Sequence, residues 1–533
     1  MSLILLSLIA ILGFFALFYG FLLQVRRRIM GYRDARLQAA TRSGMSSTSG
    51  GSGVRSGKRM LKVVIVHMSL FIGGAERLIV DVALALKYHQ RKVPMEVVIV
   101  TTEHPRERCF KETIDGSLKV EVCGSFLPRK LFGKGVVFFS TLRMWYAGLV
   151  ACWVHPDVDC FFVDDAANLV PLLRFLACNI PIIFYCHFPS LLCDSNRVVD
   201  EAIFSETSLE ASTGGVPPGA PQSAAFSPWQ RSSGDGVAVK RLSLCHKIYC
   251  DFFDWAEEWS LRCATSIVCN SKFTRMVTLR VFPTLAGRID ERDIFYPPVA
   301  LPAAVGELKG DSPDPDIIDV SLAKKLEEHT VFFSINRYNP KKNIGLALQA
   351  FALLLKDPSE LEGWAKPPLL VIAGGYNSDA AADVAYMDEL HQLAFVELRL
   401  PRDRVFFLYN IRDEVKSLLL RQMRVLLYTP SNEHFGIGPL EGMVLGKPVI
   451  AVALGGPLES IGTGDDAAGV LCAPQPEAFA AAMRRLGGDD ELCRQLGERG
   501  KRRVAEIFSM DAFAERLVSR VHDLCAREHK KAV

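Results

Sequence analysis

The segment Tyr428–Val452, YTPSNEHFGIGPLEGMVLGKPVIAV, sets two carboxylates, Glu433 and Glu441, among small and apolar residues. It reads as the end of a strand (RVLLYTP), a loop (SNEHFGIG), a short helix and a second strand (KPVIAV). Pro439 suits the first helical position, which puts Glu441 in the first turn, and Gly446 suits the helix end. Lone acids are rarely buried without a partner. Either the two pair with local backbone donors or they face a ligand beyond a strand end.

The same alternation of short apolar runs with helical stretches extends along the chain in both directions. Before the segment lie TVFFSINR, PLLVIAGG and DRVFFLYN; much earlier lie LKVVIVH, MEVVIVTT, VDCFFVDD, PIIFYCHF and ATSIVCNS. Continuous β-branched and aromatic runs of strand length mark buried parallel sheets covered by helices on both faces. The expectation is an α/β protein with two doubly wound, Rossmann-like domains facing across a cleft, residues 59–300 and 326–508. Residues 301–325 then form the interdomain linker, about 195–240 a Ser/Gly/Pro-rich insertion, and 509–533 a C-terminal helix placed to cross back to the first domain.

At 533 residues, 49% hydrophobic and 23% charged, the chain has ample core for two such domains. A net charge of +3 leaves no electrostatic footprint for nucleic acid. The fourteen cysteines show no zinc spacing, and many sit inside apolar runs, which points to buried thiols in a reducing compartment.

The uncharged run Leu3–Val25 is long enough to cross a bilayer, and Arg26, Arg27 and Arg28 follow it. Residues 1–28 are therefore expected to be a membrane anchor with the bulk of the chain on the cytosolic side, and the Gly/Ser-rich stretch 41–58 a flexible linker. A second apolar stretch, Val136–Val154, suits either a buried domain helix or contact with the bilayer. Asp157 and Asp159 form an Asp-x-Asp pair, but they precede a strand, where acids are usually solvated rather than metal-bound.

Chemistry is expected at the strand ends. Gly73 and Gly74 (GGAER) lie between the first strand and first helix, where backbone amides approach an anion, although a simple glycine turn reads the same way. Arg337 and Lys342 follow the strand TVFFSI and suit a diphosphate, although a solvated basic loop has the same composition. Glu433, His434, Phe435, Gly436 and Glu441 complete a constellation with the later LGGPLES.

Glu433 and Glu441, seven residues between them, together with GGAER, NRYNPKKN, IAGGY and GGPLES, resemble the family 4 retaining glycosyltransferases of GT-B fold. FYCHFPSLL, CNSKFT and LYTPSNEHFGI are further similar to the GDP-mannose-dependent alpha-1,3/1,6-mannosyltransferases of dolichol-linked oligosaccharide assembly. The resemblance spans roughly 61–508 outside the insertion. It implies a GDP-mannose donor whose diphosphate is held without metal or other cofactor by Arg337, Lys342 and the Gly73–Gly74 loop. It further implies that Glu441 binds the ribose, that Glu433 with His434, Phe435 and Gly436 contacts the donor, and that His187 lies near donor sugar and acceptor. The implied partners are a dolichyl-diphosphate-linked oligosaccharide acceptor, the endoplasmic reticulum membrane and other transferases of the pathway. A phosphatidylinositol mannosyltransferase and a non-catalytic scaffold of the same fold are the competing readings.

Overall fold

The computed structural model describes residues 16–36, 38, 60–89, 94–130, 135–190, 244–299 and 320–532. Six strands, β1 (Leu61–His67), β2 (Met95–Thr101), β3 (Lys119–Val122), β4 (Cys160–Asp164), β5 (Ile182–Cys186) and β6 (Ser266–Cys269), form a parallel sheet in the order β3-β2-β1-β4-β5-β6. Six more, β7 (Thr330–Ile335), β8 (Pro368–Gly374), β9 (Val405–Tyr409), β10 (Val425–Tyr428), β11 (Val449–Val452) and β12 (Gly469–Cys472), form another in the order β12-β11-β10-β7-β8-β9.

The two sheets share one winding: the first strand of each pairs with the second on one side and the fourth on the other. Chain direction across the sheet reverses between first and fourth strands, which opens a crevice beyond their carboxyl ends. Val63, Val64, Ile65 and Val66 of β1 are all fully buried, as strands covered on both faces require. The edge strands β3 and β12 went unread in the sequence. Each has four residues, and Lys119 and Glu121 give β3 the look of a polar loop.

The coverings explain what the connecting segments do. Helix Met510–Ala532 returns to the first domain, where Phe513, Leu517 and Val521 share a core with Ile79, Val82 and Leu86 of helix Gly74–Tyr88. Arg520 fixes it further, donating to Asp293 Oδ1 at 2.5 Å and Ser266 Oγ at 2.7 Å. Helix Val320–Glu328, which straddles the boundary placed between linker and second domain at 325, buries Leu322 and Leu326 in the second domain's core. Residues 300–319 lie outside the described residues, as do 191–243 with the insertion.

Of the expected anchor, residues 1–15 lie outside the described residues, and 16–36 form a helix that passes the boundary placed at residue 28. It docks on the first domain along most of its described length, from Tyr19 and Phe21, whose rings meet Phe175 and Trp153, to Arg36. Val25 and Ile29, one turn apart, are fully buried in the domain core, and Arg36 donates to the Asp157 carbonyl at 2.6 Å. Arg26 and Arg28 lie over the rings of Phe175 and Trp153. The helix is thus held by direct packing, a route that bypasses the expected linker at 41–58, itself outside the described residues. Asp157 and Asp159 are occupied by Lys62 and Arg36 at the amino end of β4, the side away from the crevice.

Val136–Val154 is a single helix, and among the described residues it has the length and composition to cross a membrane. It buries one face, Arg143, Met144, Ala147, Gly148, Ala151 and Cys152, in the first domain. Val136, Val137, Phe138, Trp145 and Trp153 remain exposed.

Candidate active site

The loop after β10 is shaped by backbone constraints. Asn432 and Gly436 both take positive φ, 53° and 81°, so the chain turns sharply on either side of Glu433–His434–Phe435. Gly456 lies directly beneath: a Cβ there would stand 2.3 Å from the Phe435 Cα, and its amide donates to the Glu433 carbonyl at 2.7 Å. The loop therefore rests backbone against backbone on the turn after β11.

Gly436 precedes a helix, Ile437–Val444, that starts two residues before Pro439. Glu441 accordingly falls in the second turn, not the first. It accepts a hydrogen bond from Lys416 Nζ at 2.6 Å, a partner that the sequence did not single out. Phe435 is also placed differently from expectation. Its ring is buried against Tyr296 and Phe508, each 5.5 Å away between centroids, and its backbone rests on Gly456.

Lys342 and Glu433 meet. A 3-10 turn, Pro340–Lys342, follows β7, and Asn343 takes φ 45° before helix Gly345–Lys356, which brings the lysine back over the sheet end. Its ammonium donates to Glu433 Oε2. Burial would raise the Glu433 pKa, but Lys342, His434 and the Tyr428 hydroxyl hold it below the usual carboxylate range. Arg337, just past the end of β7, is exposed and makes no ion pair among the described residues. These groups all sit beyond β7 and β10, the strands that flank the second sheet's reversal.

The first sheet's reversal, between β1 and β4, carries a cluster that sequence reasoning missed. Val66 pairs with Val163, so the next residues, His67 and Asp164, close the two strands side by side. Asp164 is fully buried and bridges two imidazoles: His67 Nδ1 at 2.7 Å and His187 Nε2 at 3.1 Å. Burial would drive the proton off His67, but Asp164 and Asp165 outweigh it and push its pKa up to about 9. Burial likewise opposes ionisation of Asp164, yet the two histidines bring it down to about 2. His187 is raised above its ordinary value: Asp164 overcomes the effect of burial. The signal available in the sequence was a polar residue at the carboxyl end of two adjacent strands, VIVH and FFVDD.

Gly73 caps helix Gly74–Tyr88 in an extended conformation without a side-chain cap, so the first amides of that helix are unclaimed by a capping oxygen. A Cβ on Gly74 would meet nothing within 4 Å, so crowding by the protein is not what its small size serves. Glu76, one turn in, contributes to the field at His67, which ties this loop to the histidine cluster.

The two halves touch across the crevice. His434 stacks on Phe188, with centroids 3.8 Å apart and planes at 11°, and its carbonyl accepts from Ser271 Oγ at 2.6 Å. Burial and the neighbouring Lys342 and His187 charges lower the His434 pKa to about 4, so the stacked ring is neutral at ordinary pH. Glu459 bridges the same gap, accepting the backbone amides of Lys272 at 2.8 Å and Phe273 at 2.7 Å and the Tyr296 hydroxyl at 3.0 Å. Sequence reading had placed Glu459 only within a motif, with no partner.

One crevice thus joins a cation paired with an acid on one wall to a histidine–carboxylate cluster on the other. Such a site stabilises negative charge on a leaving diphosphate and positions hydroxyl groups opposite it. Solved structures with this two-sheet frame include sucrose-phosphate synthase from Thermosynechococcus elongatus, with a TM-score of 0.60 at 17% identity, covering 88% of this chain and 100% of that one. A glycosyltransferase from Rickettsia africae superposes with a TM-score of 0.55 at 14% identity, over 87% of this chain and 98% of that one. Residues 319–503 match the family model described as glycosyl transferases group 1. The alpha-1,3/1,6-mannosyltransferase ALG2 of Rhizomucor pusillus is 33% identical over 87% of this chain and 92% of its own length. The mouse protein of that name is 34% identical over 87% of this chain and 96% of its own. A paired cation and acid on one wall, a matching group 1 domain and identity of that extent over nearly both full lengths lead to one conclusion: the chain belongs to the alpha-1,3/1,6-mannosyltransferase family, glycosyltransferases of GT-B fold.

Proposed function

We propose that the protein moves mannose from GDP-mannose to a dolichyl-diphosphate-linked oligosaccharide on the cytosolic face of the endoplasmic reticulum membrane. It adds the alpha-1,3 and alpha-1,6 mannoses of the N-glycan precursor, without a metal. The observation that carries this reading is the Lys342–Glu433 pair beyond β7 and β10, across the crevice from His187, in a chain whose relatives bear the mannosyltransferase name.

Breaking the bond between mannose and diphosphate builds negative charge on the leaving group and positive charge on the sugar ring. Arg337 and Lys342 meet the first, assisted by the amides at Gly73 and Gly74. A diphosphate competes with Glu433 for Lys342, and the carboxylate released from that pair is then available to the donor sugar. Glu441, held by Lys416, accepts the ribose hydroxyls. Retention of configuration follows from attack on the face the diphosphate leaves, with the departing phosphate oxygen taking the acceptor proton. Glu433 is not a nucleophile in this scheme.

Membrane association draws support from apolar side chains that the fold leaves uncovered. Helix Leu244–Cys263 exposes Ile248, Phe252, Trp255 and Trp259, and helix Val136–Val154 exposes Val136–Phe138. Tryptophans at the rim of apolar surface suit the headgroup region of a bilayer.

The test is to incubate the purified full chain in detergent with a synthetic lipid-diphosphate oligosaccharide and GDP-mannose, UDP-glucose or UDP-N-acetylglucosamine, and to analyse products by mass. Gain of two hexoses from GDP-mannose, unaffected by EDTA, is expected. Transfer from a uridine donor instead, or loss of transfer with EDTA, overturns the corresponding part of the proposal.

A second measurement separates the two acids. Glu441→Gln is expected to weaken GDP binding about tenfold, the usual worth of a hydrogen bond to a charged group. Glu433→Gln is expected to lower transfer without weakening GDP binding, since it removes the carboxylate that competes with the diphosphate for Lys342. Equal loss of GDP affinity in both variants removes this division of roles.

A further inference from the structure

In the His67–Asp164–His187 cluster one nitrogen of each ring is spent on the shared carboxylate, while His67 Nε2 is buried without a hydrogen-bond partner among the described residues. Asp164 is fully buried, its two oxygens are taken by one nitrogen from each histidine, and His67 is itself fully buried. His187 is the one member that reaches the crevice, with 23% of its side chain exposed. Its Nε2 is spent on Asp164, and Nδ1 carries no partner among the described residues.

We propose that Asp164 and His67 are positioning residues for the transfer reaction: the shared carboxylate holds His187 with its Nε2 proton toward Asp164, so that Nδ1 is the ring atom presented to a sugar hydroxyl. The inference rests on the reading above that sugar substrates bind at this end of the crevice. A free imidazole exchanges its proton between both nitrogens and rotates; one fixed by a buried carboxylate does neither. His67 keeps that carboxylate in place by giving it a second donor from the adjacent strand. It also balances the charge, since a buried carboxylate left to His187 alone draws a proton onto that ring more strongly.

The charged neighbours define how the cluster titrates. His67 faces Asp164 and Asp165 from the loop end of β4 and feels Glu76 from helix Gly74–Tyr88. His187 faces the same two aspartates and Cys186 from its own strand, and its charge is felt by His434 of the second domain. Removing the His67 charge therefore leaves two carboxylates acting on His187 with no cation between them, and the ring holds its proton to higher pH.

Two readouts test this. In the full-length protein labelled with ¹⁵N-histidine, the signals that disappear in His187→Gln identify His187, and the neutral ring is expected with its proton on Nε2. A proton on Nδ1 overturns the proposal, and this readout stands whether or not the substrate assignment is right. The second readout is the pH profile of transfer. The limb that disappears in His187→Gln is expected to move up by about one pH unit in His67→Asn, whose amide occupies the place of Nδ1 but carries no charge. A folded His67→Asn protein with that limb unmoved reduces the cluster to a core ion pair and overturns the proposal. Should His67→Asn not fold, the ring tautomer decides alone. A protein that transfers no mannose but shows the Nε2 proton keeps the positioning of His187 and refutes only the substrate reading.

Discussion

Lys342→Ala is expected to lower mannose transfer at least a hundredfold while the two sheets stay folded. On the proposed function the substitution removes a fixed charge from beside the leaving diphosphate, and loss of one such preorganised stabiliser commonly costs about 3 kcal/mol of barrier. It also strips Glu433 of its ion-pair partner. Glu433 is held below the usual carboxylate range against the effect of burial, chiefly by Lys342, so in the variant burial prevails and its pKa rises. Residual transfer that needs ionised Glu433 should then climb with pH over a higher range than in the unchanged protein. The sign for stability is opposite: with Lys342 present, the depressed Glu433 pKa contributes stability above about pH 4.5 that is lost as pH falls through the folded value, and the variant lacks that contribution. Initial rates from pH 5.5 to 8.5 check the first statement, and denaturant unfolding of both proteins followed by circular dichroism from pH 3.5 to 7 checks the second. Activity within threefold of the unchanged protein, or an unshifted profile, shows that Lys342 does not face the diphosphate. Arg337→Ala is the useful companion, since Arg337 makes no ion pair among the described residues and should reduce the rate without moving the profile.

The architecture was legible because parallel strands buried on both faces leave little room for any side chain but Val, Ile, Leu and Phe. Runs such as VVIV and VFF therefore stand out without any partner in view. A short edge strand need not carry such a run: β6 does, in SIVC, but β3 does not. β3, with Lys119 and Glu121 on it, and β12 are defined by the neighbour they pair with, and pairing is a property of the fold. The N-terminal helix shows the same limit. Its apolar composition reads as an anchor, but only the folded domain reveals that Val25 and Ile29 are core residues and that the helix is docked from Tyr19 onward.

At the site, motif residues fixed by local chain geometry were found, and residues fixed by distant partners were not. Glu433 and Lys342 announce themselves as a charge beside a strand end, but their mutual contact spans 91 residues of sequence. Lys416 is one of two cations on helix Asp413–Gln422 until Glu441 is seen against it. The helix start was misjudged because proline was given the first position, whereas Gly436, at positive φ, turns the chain early enough to begin the helix at Ile437. His67 and Asp164 look like the frayed ends of two strands. Their significance depends on β1 and β4 being neighbours, which follows from the winding of the sheet and not from either sequence.

Glu459→Ala is expected to have the other large effect, on transfer rather than on nucleotide binding. Glu459 belongs to the second domain, and it holds the amides of Lys272 and Phe273, at the amino end of helix Lys272–Val281 of the first, together with the hydroxyl of Tyr296, which packs against the second domain's core. A carboxylate at a helix amino terminus gains from both the unpaired amides and the helix dipole. Hydrogen bonds to a charged group contribute about 1.5 to 3 kcal/mol each and are not additive, so losing the set shifts the balance against this closed arrangement by about 3 kcal/mol, roughly a hundredfold. Ser271 caps the same helix through the Thr274 amide and donates to the His434 carbonyl, so the donor loop is tied to the contact that Glu459 maintains. Weakening it separates Lys342 and Glu433 from His187. The nucleotide groups assigned to Arg337, Lys342 and Glu441 all lie within the second domain, so GDP affinity should change little while kcat falls toward a hundredth. Tyr296→Phe removes one of the three bonds and should cost less than tenfold. Glu459→Gln offers one carbonyl oxygen where two amides need acceptors and turns its own NH₂ toward an N–H donor, so it should fall nearer to alanine than to glutamate. Wild-type kcat in Glu459→Ala would mean that the catalytic arrangement closes without this contact. A parallel loss of GDP affinity would mean that Glu459 supports the second domain itself.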